Sequence, residues 1–182
     1  MTEFCGSSLV QRGTDSGWAS VSAGRENAIA LRTDGTLWAW GRNDTGQHGD
    51  GTTIGHGEPV NIKPGTVWVS AVSGHFHTAA VKADGSLWTW GLNAHGQLGN
   101  GTGGNGWGDR SDDSLVPLRI GDRYDWAIVA ANHGYTIAAR TDGTLWAWGY
   151  NNQGQLGDGS TETRLAPVRI GWQEPERPTV LK

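Results

Sequence analysis

The chain has 182 residues, carries a net charge of −4 and contains 30 glycines, and these values exclude several classes of protein. So much glycine, without a long stretch of 3.6-residue hydrophobic periodicity, argues against a helical fold. No run of Lys or Arg suggests a nucleic-acid partner, and the single Cys5 excludes an intrachain disulfide framework. With no visible signal peptide and no apolar stretch that could cross a bilayer, we expect a cytoplasmic protein without a membrane partner.

A segment of 35 residues recurs three times without gaps, beginning at Trp18, Trp68 and Trp126. Each copy continues into a looser segment that ends in an apolar run, such as EPVNI at residues 58–62. Self-similarity at this spacing indicates a repeat architecture. It divides the chain into an N-terminal segment with one orphan strand at residues 8–12 (1–17), three repeats (18–67, 68–125 and 126–171) and a polar C-terminal tail (172–182).

Every repeat predicts four short strands in the same order. In the first repeat they cover residues 18–23, 27–32, 36–40 and 58–62, and each is bounded by Gly, Asp or Asn. A tight turn at Asp34-Gly35 joins the second strand to the third. Four antiparallel strands in about 50 residues describe one blade of a β-propeller. We therefore predict an all-β fold with three complete blades.

A pair of tryptophans lies on the third strand of each repeat, two positions apart. That spacing puts both indoles of a pair on one face of the strand. We expect the pairs to be structural and largely buried. They are Trp38 and Trp40, Trp88 and Trp90, and Trp146 and Trp148.

Several short motifs mark the repeats: an Ala-Gly or Ser-Gly step, the His77-Thr78 pair, the DGTLWAWG strand, and N-x-x-G-Q-L-G at residues 93–99 and 151–157. Together they resemble the regulator of chromosome condensation repeat family, and the resemblance covers residues 8–171. It implies a β-propeller, and the best-known members of the family have seven blades. The departures from the pattern are His48 in place of the motif's Leu, Asn27-Ala28 and Tyr135-Thr136 in place of His-Thr, and Asn132 in place of Gly.

Three blades are fewer than the roughly 4 to 8 that close a propeller. On their own they would expose two apolar flanks, which is an aggregation hazard. We therefore expect either a homo-oligomer or a part of a longer propeller, and the sequence favours neither over the other.

Two surfaces are candidates for binding a protein partner. Arg25, His75 and His133 occupy one repeat position, directly after the first strand, and should line up at one end of the propeller. The next position varies between Glu26, Phe76 and Gly134, whereas core positions are nearly constant. Such variation suits an unsymmetrical partner, and an unconstrained surface would vary in the same way. If a partner binds here, a cationic Arg with protonatable histidines favours a polar or acidic one. The alternative surface is an eight-residue insertion in the second repeat, which carries Trp107, Asp109 and Arg110.

Other motifs give little support for chemistry. GTGGNG at residues 101–106 matches a dinucleotide fingerprint, but no helix follows it. His75 and His77 are spaced like metal ligands on a strand, yet a third ligand is not evident. The Asp- and Gly-rich loops lack the spacing of a calcium site, and no nucleophile motif appears. We therefore predict no catalytic residue, no cofactor and no metal.

The sequence thus predicts a non-catalytic protein–protein interaction module that is not an enzyme. The family resemblance implies two narrower alternatives. One is guanine-nucleotide exchange on, or regulation of, a small GTPase. The other is inhibition of an enzyme, such as a β-lactamase, by plugging its active site. An enzyme with a site at the centre of the ring remains a further alternative.

Overall fold

The computed structural model describes residues 14–104, 106 and 108–171. The regular elements in this part of the chain are all β-strands. The predicted orphan strand and the polar tail lie outside the described residues. The strands are β1 (Trp18–Ala23), β2 (Asn27–Arg32), β3 (Leu37–Gly41), β4 (His56–Ile62), β5 (Trp68–Ser73), β6 (His77–Lys82), β7 (Leu87–Gly91), β8 (Ser114–Arg119), β9 (Trp126–Ala131), β10 (Tyr135–Arg140), β11 (Leu145–Gly149) and β12 (Arg164–Ile170).

These strands form three separate antiparallel sheets of four, in the orders β1-β2-β3-β4, β5-β6-β7-β8 and β9-β10-β11-β12. We call them blade 1, blade 2 and blade 3. The predicted all-β class is confirmed, although the third strand of the first repeat begins at Leu37 and the fourth already at His56. Strand β5 contacts both β1 and β9, so the first strand of each blade faces the inside of the fold. No helix that could span a membrane is found in the described residues.

The DGT and DGS steps build the turn before each third strand. The Asp34 carboxylate accepts hydrogen bonds from the Thr36 amide and hydroxyl at 2.9 and 2.7 Å, while Gly35 takes a positive φ of 80°. The Thr36 hydroxyl in turn accepts a bond from Trp38 Nε1 at 2.9 Å. The same bonds recur in blades 2 and 3. The motif therefore ties the first tryptophan of each pair to its own turn.

The hydrophobic core lies in the two seams between blades. In the first seam, Leu37 of blade 1 packs in one cluster with Trp68 and Trp90 of blade 2. In the second seam, Leu87 of blade 2 packs with Trp126 and Trp148 of blade 3. In both seams, the earlier blade thus supplies an aliphatic face and the later blade an indole face.

The G-Q-L-G segment, which reads G-Q-H-G in blade 1, accepts hydrogen bonds from the next blade and so fastens it. The backbone carbonyl of Gln47 in blade 1 accepts bonds from Trp90 Nε1 at 2.9 Å and from the Thr78 hydroxyl at 2.7 Å, both in blade 2. Gly49 follows at a φ of 77°, where a Cβ atom would stand 2.6 Å from the Trp90 ring. Gln97 does the same for blade 3, with Trp148 and Thr136 as donors. The motif is an inter-blade fastener.

Burial of the tryptophan pairs is less uniform than the sequence predicts. The second member is fully buried in blades 2 and 3, as Trp90 and Trp148, because the fastener covers it. Trp40 is only half-buried, since no described blade precedes blade 1. The first members, Trp38, Trp88 and Trp146, are also half-buried, and the cations of Arg32, Lys82 and Arg140 lie over their rings. Burial is therefore complete for Trp90 and Trp148 and partial for these four rings.

Candidate functional site

One end of the propeller carries the first turn and the third connection of every blade. Because neighbouring strands are antiparallel, the turns at residues 24–26, 74–76 and 132–134 lie at the same end as the connections 42–55, 92–113 and 150–163. We call this the loop end. The Asp-Gly turns and the links between blades lie at the opposite end. The structure therefore places Arg25, His75 and His133 together at the loop end, as the repeat position predicts.

His75 and His133 make direct contact across the seam between blades 2 and 3. Their ring centroids lie 4.5 Å apart in an edge-on arrangement, and the His75 amide donates to the Asn132 carbonyl at 3.4 Å. Burial, and then the neighbouring His133 and Arg25, lower the pKa of His75 below its ordinary value. His75 is therefore protonated only in more acidic solution than an ordinary histidine.

Phe76 lies between two arginines of blade 1. The guanidinium carbons of Arg25 and Arg42 are 5.7 and 5.5 Å from the Phe76 ring centroid, within the range of a cation–π interaction. Arg42 is also bonded to Glu26 at 2.8 Å and to Asp44 at 2.6 Å. The bonds to Asp44 and then Glu26 raise the pKa of Arg42. Blade 1 and blade 2 thus share one charged and aromatic surface.

The insertion of blade 2 joins this surface. Arg110 donates to the backbone carbonyl of Asp44 at 2.6 Å and to the Asp113 carboxylate at 2.6 Å. Asp113 also accepts a bond from the Asn93 amide at 2.9 Å, and burial raises the pKa of its carboxyl group. The exposed Asp109 accepts a bond from the Ser111 amide within the same loop. Trp107 lies outside the described residues.

The sequence treats the turns and the insertion as alternatives, but the structure connects them. Arg42 and Asp44 form the link, and sequence reasoning missed both. A signal was present in the repeats: the position after the strand-ending glycine reads Arg42, Leu92 and Tyr150, which is as variable as the position of Phe76. Tyr150 lies in the equivalent connection of blade 3, where its ring is 4.7 Å from that of His95.

His75 and His77 have the spacing of metal ligands on a strand, but His77 is already engaged with the next blade. His77 is fully buried, and its Nε2 lies 2.9 Å from the Thr136 hydroxyl of the next blade. In the part of the chain that the structure describes, the His and carboxylate side chains close enough to share an ion are His48, Asp50 and His56 of blade 1. They are a separate group from His75 and His133.

Comparison with known protein families identifies the family of these repeats. A model described as the regulator of chromosome condensation (RCC1) repeat matches residues 18–47, 68–97 and 126–155, and a second model of the same description matches 34–81, 84–139 and 142–180. The chain belongs to the RCC1-repeat family. The predicted family is therefore confirmed, and with it the propeller architecture.

Individual RCC1-repeat proteins are similar over most of this chain. The ultraviolet-B receptor UVR8 of Arabidopsis thaliana is 34% identical over 154 residues, which are 82% of this chain and 33% of UVR8. The crystal structure of human WBSCR16 superposes with a TM-score of 0.74 at 22% identity, covering 88% of this chain and 39% of that one. Yeast RCC1 (Prp20) bound to Kap60 gives a TM-score of 0.68 at 20% identity, with 88% and 39% covered. The chain spans about a third of the length of UVR8.

Proposed function

We propose that this RCC1-repeat chain is a non-catalytic module that binds another protein through its loop end. The observation that carries the proposal is one continuous surface of unlike side chains on a repeated scaffold. It runs from Arg25 and Phe76 through Arg42 and Asp44 to the Arg110 of the insertion. Identical blades need no such differences to fold, so a partner without the propeller's symmetry accounts for them.

The surface has both signs of charge, which sets the chemistry of the partner. The side chains of Arg25, Glu26, Arg42 and Asp44 are all between 41% and 56% exposed, although they are bonded to one another. Exposed pairs of this kind contribute little to folding stability. They contribute more to the choice of partner and to the association rate. The proposed partner therefore presents a polar face with matching charges around an apolar contact for Phe76.

The family supports a protein as the ligand. The yeast RCC1 protein that shares this fold is bound to Kap60 in its crystal structure. We extend protein binding, but no particular partner, to this chain. Nucleotide exchange on a small GTPase and inhibition of an enzyme are narrower forms of the same proposal, and each would use a protein surface docked on the loop end.

Charge reversal at both ends of the propeller tests this proposal. Proteins cross-linked to the full chain are identified, and their binding is measured for Arg25→Glu, Arg110→Glu and the control Lys63→Glu, which lies at the opposite end. We expect each loop-end variant to weaken binding about tenfold or more, since like charges at an interface cost several kcal/mol. Lys63→Glu should bind as the unchanged chain does. Equal losses from all three variants would refute the loop end as the docking site.

A nucleotide-release assay separates the narrower forms. If the captured partner is a small GTPase, release of labelled GDP is measured with and without the chain. Faster release that Arg25→Glu abolishes would establish exchange activity. Binding without faster release would leave the chain a docking module only.

We further propose that the two open flanks bind a neighbouring blade, supplied by a second copy of the chain. Blade 1 offers Trp18 and Trp40, which line a cavity on its outer face together with Trp38. Blade 3 offers Leu145, at the position of the buried Leu37 and Leu87, yet 41% exposed. A head-to-tail contact of this type closes into a ring when the rotation permits. Two copies would give six blades, within the roughly 4 to 8 of known propellers.

A further inference from the structure

Blade 1 contains a group of side chains that the other two blades lack. His48, Asp50 and His56 each offer one ligand atom, and these atoms all lie within 4.8 Å of one another. His48 and Asp50 belong to the connection after β3, whereas His56 begins β4. The rings of His48 and His56 are nearly parallel, with centroids 5.7 Å apart. The group therefore joins a loop to the outermost strand of its blade.

The repeats provide an internal reference for each of these positions. Where blade 1 has His48, blades 2 and 3 have Leu98 and Leu156, both fully buried. Register across the third strand pairs Gly41 with His56, Gly91 with Ser114 and Gly149 with Arg164. At the position of Asp50 the other blades have Asn100 and Asp158. Only the first repeat combines two imidazoles with a carboxylate here.

His48 has no structural reason to be an imidazole. It is fully buried, and neither ring nitrogen has a hydrogen-bond partner. The Trp40 backbone approaches the ring without reaching hydrogen-bond geometry. A buried polar group without a partner is costly, and Leu fills the same space in the other blades without that cost. An uncompensated pair of ring nitrogens at this point therefore calls for a ligand.

Asp50 is oriented by its own loop. Its Oδ1 accepts bonds from the Thr52 amide at 2.8 Å, the Thr52 hydroxyl at 2.9 Å and the Asn43 side chain at 3.3 Å. Its Oδ2 faces His56 Nε2 at 3.4 Å. These bonds are the supporting contacts that hold a carboxylate ligand in position in metal sites. Oδ2 remains for an ion.

We propose that His48, Asp50 and His56 bind one divalent transition-metal ion, with Zn²⁺ as the best fit. Imidazole nitrogens with a carboxylate oxygen form the donor set of zinc sites that keep one position open. Tetrahedral Zn²⁺ at its usual bond lengths separates its ligand atoms by about 3.3 Å, so no pair has to close by more than about 1.5 Å. The half-exposed His56 ring gives the ion a path from solvent.

The ion would fasten the connection of blade 1 to the start of β4. Blade 3 makes the same link with an ion pair, because Arg164 Nε lies 2.6 Å from the Asp158 carboxylate. In blade 1 the shorter His56 reaches Asp50 only at 3.4 Å, which leaves room for a bridging ion. This site lies at the loop end too, but it uses none of the side chains of the proposed protein-binding surface, so either proposal can fail without the other.

Titration of the tag-free full chain with Zn²⁺ and with Co²⁺ alone tests this site. We expect one ion per chain, the visible absorption of tetrahedral Co²⁺, and a higher melting temperature with Zn²⁺. His48→Leu installs the residue of the other two blades and should fold normally. We expect it to lose more than about 100-fold in Zn²⁺ affinity, because removal of mere supporting contacts already costs 10- to 100-fold.

Two further variants make the result decisive. His56→Arg copies blade 3 and should replace the metal link by an ion pair, so its melting temperature should no longer respond to Zn²⁺. His133→Asn removes a surface histidine elsewhere and should bind Zn²⁺ as the unchanged chain does. The proposal is overturned if the unchanged chain binds no ion at a ratio of one, if His48→Leu binds equally well, or if His133→Asn abolishes binding.

Discussion

The seams between blades and the outer flanks of blades 1 and 3 carry equivalent residues, but these residues are buried only in the seams. Trp68 and Trp126 are 2% and 4% exposed inside the seams, whereas their counterpart Trp18 is 37% exposed on the open flank of blade 1. Leu37 and Leu87 are fully buried, but Leu145 on the far side of blade 3 is 41% exposed. Local sequence is nearly constant between these positions. Burial is therefore decided by whether a neighbouring blade is present.

The difference teaches that a single blade has little core of its own. Its apolar faces become a core only through the aliphatic and indole faces of adjacent blades, and the Gln47 and Gln97 carbonyls fix how those faces meet. A substitution in a seam should therefore lower the free energy of unfolding more than the same substitution at the equivalent position on a flank. This can be tested with matched substitutions.

The largest effect is expected from the second tryptophan of a pair. Trp90→Ala removes a fully buried indole from the first seam and should lower the free energy of unfolding by about 3–5 kcal/mol. Trp40→Ala removes the half-buried counterpart and should cost less than half as much in dilute solution. Denaturant-induced unfolding measures both. Equal costs at all protein concentrations would contradict the contrast between seam and flank.

The next effect comes from pH and the buried His77. Burial, and then the charges of His75 and His133, lower the pKa of His77 to about 3. An unfolded histidine has a pKa of about 6.5, so the unfolded chain binds the proton more readily and stability falls as the pH drops below 6.5. The loss should reach about 2 kcal/mol at pH 5. It should be complete near pH 3.

His77→Asn serves as the control for this pH dependence. Blade 1 has Asn27 at the same position, so a neutral amide fits there, although the Ser73 hydroxyl to which Asn27 donates at 2.6 Å is replaced by Ala131 in blade 3. The variant should lose less stability than the unchanged chain between pH 7 and pH 5. Parallel stability curves for the two proteins would show that His77 does not titrate in this range.

A smaller effect is expected from the hydroxyl donors at the fastener. Thr78→Ala removes the bond to the Gln47 carbonyl, which keeps its bond from Trp90, so the loss should be about 1 kcal/mol. Blade 1 has Ala28 at the same position, and Ala28→Thr should change stability by no more than about 0.5 kcal/mol. Chemical denaturation distinguishes these values. A gain of about 1 kcal/mol from Ala28→Thr would indicate that a further blade already covers that flank.

The smallest effect on subunit stability should come from Leu145→Arg, because this side chain is already exposed on the open flank. We expect a change within about 0.5 kcal/mol. The same variant should reduce the mass measured by light scattering to that of one 19.4 kDa chain. Leu87→Arg, placed in a sealed seam, should instead prevent folding, since it buries a charge without a partner. A 19.4 kDa particle from the unchanged chain would refute self-assembly.

Repetition made most of the fold predictable. Three copies of one strand pattern, with the same turn at Asp34-Gly35 and its equivalents, specify four strands each and leave little freedom in their order. The pattern could not show which Trp of a pair is buried, because the covering Gln47 carbonyl comes from another repeat. The link from Arg42 through Asp44 to Arg110 was hidden for the same reason: it spans 66 residues between Asp44 and Arg110.

The His48 group was missed for a related reason. The sequence shows His48 as a departure from the repeat motif, but a single histidine does not indicate a metal site. Its meaning depends on His56, which the register of β3 with β4 brings alongside Asp50. A position-by-position comparison of the three repeats across the third and fourth strands would have found the pair.

The direction of the Gln47 and Gln97 bonds has a consequence for how this chain opens. Among the described residues, each carbonyl accepts from the blade that follows it, so within this part of the chain blade 2 is held on both sides and each outer blade on one. Stability in such an array is a sum of nearest-neighbour contacts, and opening begins at the ends. In a single chain, such as the Leu145→Arg variant, backbone amides of β6 and β7 should therefore exchange with deuterium more slowly than those of β2 or β11, with protection decreasing outward from blade 2.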